Sequence, residues 1–436
     1  MPRKNGVEVR GILNGQFRIS PAAFAQRSDE GLIPHEVLMI EERSRLPLET
    51  HDNTGKLNYL VNTATTVEAP KKCNFTDRFV VEVCFAVSAQ YERAFCDTRD
   101  LVIYLATSLN AVALYFTGMT DPLIRFQLNG VIRIEDEAIA GRNICGKALY
   151  ELQNPCVCAV DMQDTLNKTT HLMKSCQFTQ CDVVVRLTSE DLAEKVNDTF
   201  INRKIHGLAF LAGVCTDYNV AVAEDDPHTF NGVSTVAHEI AHTLGASHDG
   251  VLETSPIEGY PQGCNCSWED GYLMSFSATG KNMYSLSSCT EAQVRFVVRS
   301  LPLSCIEVRT EANYSNRFYP GQNMTFERFC QTMHPEHADV NVSDRHGHTY
   351  EKCKIHCCWR LDLSIEIGSD TDIDFEGYDG YDGYDYKDLK ACQEHSMLEA
   401  MPCGSDGKTC WRGVCGEHNW TEIYNSSHTY RTFQTL

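Results

Sequence analysis

Residues 238–249 read HEIAHTLGASHD, and this stretch constrains the local fold more than any other part of the chain. On a helix, His238 and His242 are four residues apart and therefore project from one face. Gly245 can adopt the left-handed conformation that ends a helix, which lets the chain turn and bring back His248. Three histidines that leave a fourth position open are typical of a catalytic zinc site.

The residue after the first histidine is a carboxylate that can accept a proton. Glu239 lies one position round the helix from His238, where a carboxylate can hold a water at the zinc and take its proton. A bare His-Glu-x-x-His also occurs by chance on solvated helices, and a purely structural zinc would need four protein ligands. The third histidine and the intact Glu239 favour a zinc hydrolase over both alternatives.

Composition limits the classes of partner. The 436 residues carry 59 acidic and 38 basic side chains, a net charge of −21, which argues against nucleic acid or an anionic membrane as the main partner. No run of 18 apolar residues is present. The most apolar stretch, residues 101–116, is interrupted by Thr107, Ser108 and Asn110, so we expect an amphipathic helix rather than a membrane span.

Twenty-one cysteines indicate a disulfide-bonded, secreted protein, and nine Asn-x-Ser/Thr triplets agree with a secretory route. No apolar segment of a signal peptide follows Met1. We therefore expect the chain to lack its true N-terminus, with an unconventional export route as the alternative.

The positions of the cysteines and of the predicted strands and helices divide the chain into three parts. Residues 1–72 contain no cysteine and include a hairpin-like segment, 11–19, with Asn14-Gly15 as the turn; this part is typical of a propeptide remnant. Residues 73–308, the central region, alternate strands with helices and predict an α/β domain. Its predicted strands are 79–87, 126–134, 182–187 and 207–215, and its predicted helices are 100–116 and 233–244.

Residues 309–436, the C-terminal module, place their cysteines in loop-like sequence. Their spacing does not form two paired Cys-x2-Cys knuckles, so disulfides are favoured over zinc ligation. Within the module, residues 361–390 hold ten acids and two lysines, and Gly-Tyr-Asp occurs three times over 377–385. Three interpretations stay open for this acidic segment: a solvated loop, a calcium-binding stretch, or a docking surface at 370–388 for a basic partner.

The histidine motif, with Met274 in the segment 271–275, resembles that of the metzincin endopeptidases, which place a methionine turn beneath the metal. Asp249 directly after the third histidine and Phe276 after the methionine resemble the reprolysin (adamalysin) branch. Across its length the chain looks most like the salivary reprolysin-type metalloproteases of blood-feeding ticks. The C-terminal module is similar to the cysteine-rich part of ADAMTS proteases at residues 402–404 and 410–415.

This resemblance implies an α/β metzincin fold with a mixed sheet, a zinc helix and a Met-turn, followed by a small, disulfide-rich, loop-dominated module. It implies one catalytic Zn²⁺ on His238, His242 and His248, with Glu239 as general base. The implied function is a secreted zinc endopeptidase cutting extracellular matrix or plasma proteins such as fibrinogen or gelatin. The alternative is a secreted anti-adhesive or anti-haemostatic binding protein that acts through the module. The segment 207–215, with residues 220–225 after it, resembles the reprolysin edge strand and its following loop.

The resemblance also implies disulfides between Cys215 and Cys305 and between Cys264 and Cys289, and leaves Cys266 without an assigned partner. Glu82 matches a position that binds Ca²⁺ in some reprolysins, although the companion asparagine near Cys305 is missing.

A further cysteine precedes the central strands. Pro70-Lys71-Lys72-Cys73 resembles the cysteine switch, in which a propeptide thiolate fills the open zinc position. The residue that follows is Asn74 where the family usually has glycine. An ordinary disulfide of Cys73 is the alternative, and without Cys73 the remaining 20 cysteines are an even number that could all pair.

Overall fold

The structure is a computed structural model and describes residues 11–13, 17–21, 35–39, 77–134, 141–151, 154–176, 180–251, 260–261, 266–309, 316–343, 350–360, 374–376, 390–404 and 407–427. The chain forms two units, Met1–Leu60 and Val61–Leu436. Cys73, Cys264 and most of the acidic segment lie outside the described residues.

The first unit contains an antiparallel sheet in the order β1-β2-β3. Its strands are β1 Gly11–Leu13, β2 Phe17–Pro21 and β3 His35–Met39. Gly11 pairs with Ile19 and Leu13 with Phe17, which is the hairpin expected over 11–19. The turn residues Asn14 and Gly15 lie outside the described part.

The central region combines strands and helices of very different lengths. Its strands are β4 Arg78–Ser88, β5 Leu123–Ile134, β6 Asn143–Ala148, β7 Cys156–Asp161, β8 Val183–Thr188, β9 Leu192–Lys195, β10 Phe200–Asn202, β11 Gly207–Ala209 and β12 Val220–Glu224. Its helices are α1 Ala89–Glu92, α2 Thr98–Tyr115, α3 Met162–Cys176, α4 Val233–Thr243, α5 Ser288–Ser300 and α6 Leu303–Ile306.

A five-stranded mixed sheet in the order β11-β12-β8-β4-β5 organises this region. Four strands are parallel, and β11 alone runs antiparallel to its neighbour, with Gly207 opposite Ala223. β4 and β8 are buried along almost their whole length, as parallel strands covered on both faces must be. The mixed sheet with helices confirms the expected α/β fold class.

Helices cover the two faces of the sheet differently. Val83 and Phe85 of β4 share a core with α2, α4 and α5. Cys84 and Ala86, which alternate with them, pack instead against Leu166 of α3. Each fully buried Val, Leu or Phe on these faces contributes roughly 1.5–3 kcal/mol of hydrophobic stabilisation. The remaining strands β6, β7, β9 and β10 close into a small barrel beside the sheet.

The segment expected as a single strand over 207–215 is shorter in the structure. Strand β11 ends at Ala209, and Ala212 and Cys215 both have positive φ, a backbone conformation that cannot continue a strand. Residues 220–224, expected to belong to the loop that follows, form β12 inside the sheet. The turn could not be predicted from the apolar run 207–215, because hydrophobicity alone does not indicate backbone conformation.

Disulfide bonding corrects one expected pair. The described part of the central region contains Cys84–Cys181, Cys145–Cys158, Cys215–Cys305 and Cys266–Cys289. The expected Cys264–Cys289 bond is therefore wrong, since Cys289 bonds to Cys266 with a Cα–Cα distance of 6.2 Å. The two candidate cysteines are two positions apart, and their spacing alone could not decide between them. Cys96 and Cys156 are exposed and free among the described cysteines, so pairing of all twenty is not observed.

The C-terminal module has short elements joined by four disulfides in its described part. Its strands are β13 Asn341–Val342, β14 Lys354–Arg360, β15 Asp374–Glu376, β16 Lys390–Ser396, β17 Thr409–Trp411 and β18 Val414–Gly416, and its helices are α7 Phe326–Met333 and α8 Trp420–Ser427. The disulfides are Cys330–Cys357, Cys353–Cys410, Cys358–Cys392 and Cys403–Cys415. A small core including Phe329, Ile355 and Trp359 lies between α7 and the sheet.

Helix α2 packs against both parts of the larger unit. The expectation of an amphipathic helix is wrong, because all residues from Tyr104 to Tyr115 are buried. Leu105 belongs to the core of the central region, whereas Leu114 packs with Tyr319 and Tyr424 of the module. No helix in the described residues is long and apolar enough to cross a membrane.

Polar contacts on α2 join the same two parts. Asn110 Nδ2 donates to Asn316 Oδ1 at 2.6 Å, and Asn316 Nδ2 donates to Thr107 Oγ1 at 3.0 Å. Arg412 Nη2 donates to the carbonyl of Leu114 at 2.9 Å. Thr107 and Asn110 therefore bind the module instead of facing water, whereas Ser108 Oγ donates to the carbonyl of Tyr104 in the same helix.

Candidate metal centre

The start of helix α4 is held by a buried carboxylate. The amide of Gly232 donates to Asp225 Oδ1 at 3.0 Å, which satisfies an N–H group that the helix itself leaves unpaired. Tyr91 and Tyr104 donate their hydroxyls to Asp225 Oδ2 at 2.5 and 2.9 Å. Burial raises the pKa of Asp225 to about 6. The start of the helix is thus bonded to the residue that follows β12.

The end of α4 depends on Gly245. This residue has φ +103°, and its amide donates to the carbonyl of His242 at 2.8 Å while Ala246 N donates to Ala241 O at 2.9 Å. This pair of bonds is a Schellman motif, which caps the last turn and redirects the chain. A Cβ on Gly245 would overlap Val297 Cγ2, so glycine is required for space as well as for conformation.

The three histidines converge through their Nε2 atoms. His238 Nε2 lies 3.1 Å from His248 Nε2, and the candidate ligand atoms of the trio all lie within 4.8 Å of one another. His238 Nδ1 is 2.9 Å from the carbonyl of Leu273, and His242 Nδ1 is 2.7 Å from the carbonyl of Ala246. A carbonyl only accepts hydrogen bonds, so each Nδ1 carries the proton and each Nε2 offers a lone pair.

Burial keeps these rings neutral. It lowers the pKa of His238, His242 and His248, with a further decrease for His242 and His248 from neighbouring imidazoles. For His248 the pKa falls to about 3. Metal ions bind the neutral imidazole, and three such nitrogen donors suit zinc. The donor set therefore fits the metal that the sequence predicted.

Glu239 is buried in the same helix and lacks a full set of hydrogen bonds. Burial raises the pKa of its carboxyl to about 8. Its Oε2 has no hydrogen-bond partner within the part of the chain that the structure describes. A Cβ on Gly207, the first residue of β11, would lie 2.6 Å from Glu239 Oε1. The carboxyl group thus lies against the edge strand, with one buried oxygen that has no hydrogen-bond partner among the described residues.

The segment around Met274 contacts the histidine motif through Leu273, Met274 and Phe276. The side chain of Met274 is fully buried, and Ser275 N donates to Tyr272 O at 2.9 Å to close a turn. Asp249 N donates to the carbonyl of Met274 at 2.9 Å. The ring centroid of Phe276 is 4.9 Å from that of His248. The residues that carried the family resemblance therefore meet at the histidines.

Other positioning residues carry no signal in the sequence. Gln293 Oε1 accepts from Ser247 N at 2.9 Å, and Ser287 Oγ donates to Asp249 Oδ1 at 2.5 Å. Gln293 lies in α5 and Ser287 directly precedes it, and both are about 40 residues along the chain from the motif. Such contacts arise only when the tertiary fold brings the two segments together, so no local pattern could have identified them.

Arg309 lies beside Glu82, at the position that the resemblance associates with calcium. Arg309 Nε donates to Glu82 Oε2 at 3.1 Å, and its Nη2 contacts Asp182 Oδ1. Asn129 Nδ2 donates to Glu82 Oε1 at 2.8 Å. Both carboxylates are fully buried, and burial raises the pKa of Asp182 to about 7. A guanidinium therefore supplies positive charge to these two buried carboxylates.

The fold combines a mixed β-sheet with helices, and its site combines three converging histidines with a buried glutamate. Together they define a zinc metalloendopeptidase. The sequence profile of the reprolysin-type metallo-peptidase family M12 matches residues 56–287, more than half of the chain. The chain belongs to this family.

Among its relatives is the venom metalloproteinase antarease TserMP_A of Tityus serrulatus, 24% identical over 310 residues that cover 68% of this chain and 74% of that protein. The venom metalloproteinase BumaMPs1 of Olivierus martensii is 28% identical over a stretch that covers 62% of this chain and 63% of that protein. The Mus musculus protein named a disintegrin and metalloproteinase with thrombospondin motifs 16 is 25% identical, over 62% of this chain but 20% of its own length.

Proposed function

We propose that the protein is a secreted endopeptidase in which His238, His242 and His248 hold the zinc and Glu239 is the general base. The observation that carries the proposal is the convergence of three imidazoles on the same helix and turn as a buried carboxyl group with an unpaired oxygen. The proposed substrates are extracellular matrix or plasma proteins. The eight disulfides of the described residues support an extracellular setting.

The chain's own groups divide the chemistry between them. When bound, zinc acts as a Lewis acid toward the scissile carbonyl and lowers the pKa of water to about 7. Glu239 accepts a proton from the attacking water at its carboxylate and later delivers it to the departing amine nitrogen. The carbonyls of Leu273 and Ala246 hold two of the imidazoles in the orientation that binding needs.

Strand β11 provides a place for the substrate backbone. It is an edge of the sheet in the described residues and pairs only with β12 there. An extended peptide can add to such an edge through main-chain hydrogen bonds. Because Gly207 packs against Glu239, this edge would bring a peptide bond close to the base.

Replacement of the base tests the mechanism. Glu239→Gln should lower cleavage of a proteome-derived peptide library by roughly 10²–10⁴-fold while zinc stays bound, since general base catalysis contributes about that factor. The control is Glu269→Gln, which changes an exposed carboxylate in the same region. Activity close to wild type in a zinc-loaded Glu239→Gln protein would disprove the mechanism. Inhibition of cell adhesion by that inactive variant would instead support the binding role of the C-terminal module.

Cys73 is proposed to keep the enzyme latent. A thiolate binds zinc strongly, and the segment Pro70-Lys71-Lys72-Cys73 resembles a switch that blocks the open position. Cys73→Ser should be active before any processing of the chain. An unprocessed Cys73→Ser protein as silent as wild type would refute the switch.

A further inference from the structure

A second pair of histidines meets in the C-terminal module, far from the catalytic motif in sequence. His334 directly follows helix α7, and His395 lies on strand β16. Their Nε2 atoms are 2.7 Å apart. In the catalytic trio the corresponding Nε2 atoms of His238 and His248 are 3.1 Å apart, so the module brings two imidazoles together as closely as the catalytic site does.

A disulfide positions the first of these rings. Cys330 lies four residues before His334, and the amide of His334 donates to the carbonyl of Cys330 at 3.0 Å. Residues at this spacing share one face of a helix. Cys330 is bonded to Cys357 on β14. The bond therefore holds the end of α7, and His334 with it, against the sheet.

The register of the sheet positions the second ring. Ile355 of β14 is directly opposite His395, and Cys357, two residues further on, shares that face of the sheet. The ligand atoms of His334, His395 and Cys357 all lie within 4.8 Å of one another. Trp359 packs against His334 with ring centroids 4.5 Å apart. The pair is therefore enclosed by a disulfide and an aromatic ring.

The tautomer of His334 turns a lone pair toward its partner. His334 Nδ1 is 3.4 Å from the carboxylate of Glu336, which when ionised can only accept a hydrogen bond. A carboxylate on the outer nitrogen is the arrangement that orients metal-bound histidines in proteins.

We propose that His334 and His395 form a second transition-metal site, which binds Zn²⁺ independently of the catalytic centre. Imidazole nitrogens select zinc or copper over calcium and magnesium, which prefer oxygen ligands. The sulfur of Cys357 is held in a disulfide and is not a thiolate, so water would complete the coordination. His334 is buried while His395 is partly exposed, and the ion would enter past His395.

Metal counting on the full chain tests the site. Wild-type protein is stripped of metal, titrated with Zn²⁺ alone, separated from free metal and analysed by elemental mass spectrometry. We expect about two zinc ions per chain in the wild type and about one in His395→Gln, because one ligand set is lost. The control His418→Gln, which changes a partly buried histidine of the same module, should retain about two.

A simple hydrogen bond between the two rings is the competing explanation. It predicts one zinc per wild-type chain and the same count in His395→Gln, and this result would overturn the proposal. Thermal unfolding provides a second readout, because a ligand that binds only the folded state raises Tm. Zn²⁺ added beyond the first equivalent should raise the wild-type Tm and leave that of His395→Gln unchanged. His334→Gln removes the other ligand, and the same changes in zinc content and Tm are expected for it.

Discussion

The central region and the C-terminal module place histidines side by side by different means. In the central region, His238 and His242 are held by a helix that packs on a five-stranded sheet and ends at Gly245. In the module, His334 follows a helix of eight residues that the Cys330–Cys357 bond attaches to a small sheet. A large core can orient side chains through backbone geometry alone, whereas a small core needs covalent links to do so.

The largest expected effect comes from removing a disulfide of the module. Cys353–Cys410 closes a separation of 57 residues, and the loop-entropy relation gives about 4 kcal/mol for its loss. The double variant Cys353→Ser/Cys410→Ser should unfold the module first, because little other core is available there. Hydrogen exchange of peptides from each region measures this directly.

The matched control removes Cys145–Cys158 in the central region, which closes a separation of 13 residues and is expected to cost about 3 kcal/mol. Exchange there should increase near β6 and β7 and leave the five-stranded sheet protected. The comparison fails if both double variants destabilise the two regions equally.

A smaller effect is expected at the helix end in the central region. Gly245→Ala combines a left-handed backbone with an overlap on Val297, and should lower the free energy of unfolding by roughly 3 kcal/mol. It should also weaken zinc binding, because His248 follows that turn. Gly280→Ala is the control, since Gly280 has φ +64° with open space around it and only the conformational cost remains. Equal Tm values for the two variants would show that packing on Val297 is unimportant.

The smallest effect concerns pH at the sheet edge. His206 Nδ1 lies 2.7 Å from Glu224 Oε2, and this bond raises the pKa of His206. The stabilisation is fully present below the usual histidine pKa of about 6.5 and is lost as pH rises through the raised value. Because the ring is mostly exposed, we expect less than about 1 kcal/mol. Unfolding of wild type and His206→Gln across this range should converge at high pH, and parallel curves would contradict the assignment.

Local patterns were enough to predict much of the central region. The apolar run 79–87 became β4, and helix 233–244 formed within one residue of its expected end. The histidine motif also identified its own site, because its spacing encodes a helix, a glycine turn and a return. These features depend on neighbours in sequence, which a single chain displays directly.

The remaining features depend on contacts between distant segments. Cys289 bonds to Cys266 rather than Cys264, and Arg309 lies beside Glu82, but neither pairing leaves a trace in local composition. The burial of α2 on all sides could not be predicted from the sequence either. Asn110 is a polar residue in an apolar stretch, and only the fold brings its hydrogen-bond partner Asn316 to it.

Helix α2 is buried by both the central region and the C-terminal module, and this limits which modules the central region can be joined to. Leu114 and Asn110 contribute to the module's packing while their neighbour Leu105 contributes to the catalytic core. Any exchange of this module for another would have to bring a matching helix surface with it. A protease half separated at residue 308 would carry an exposed apolar stripe and unpaired amides along one helix, features that favour self-association.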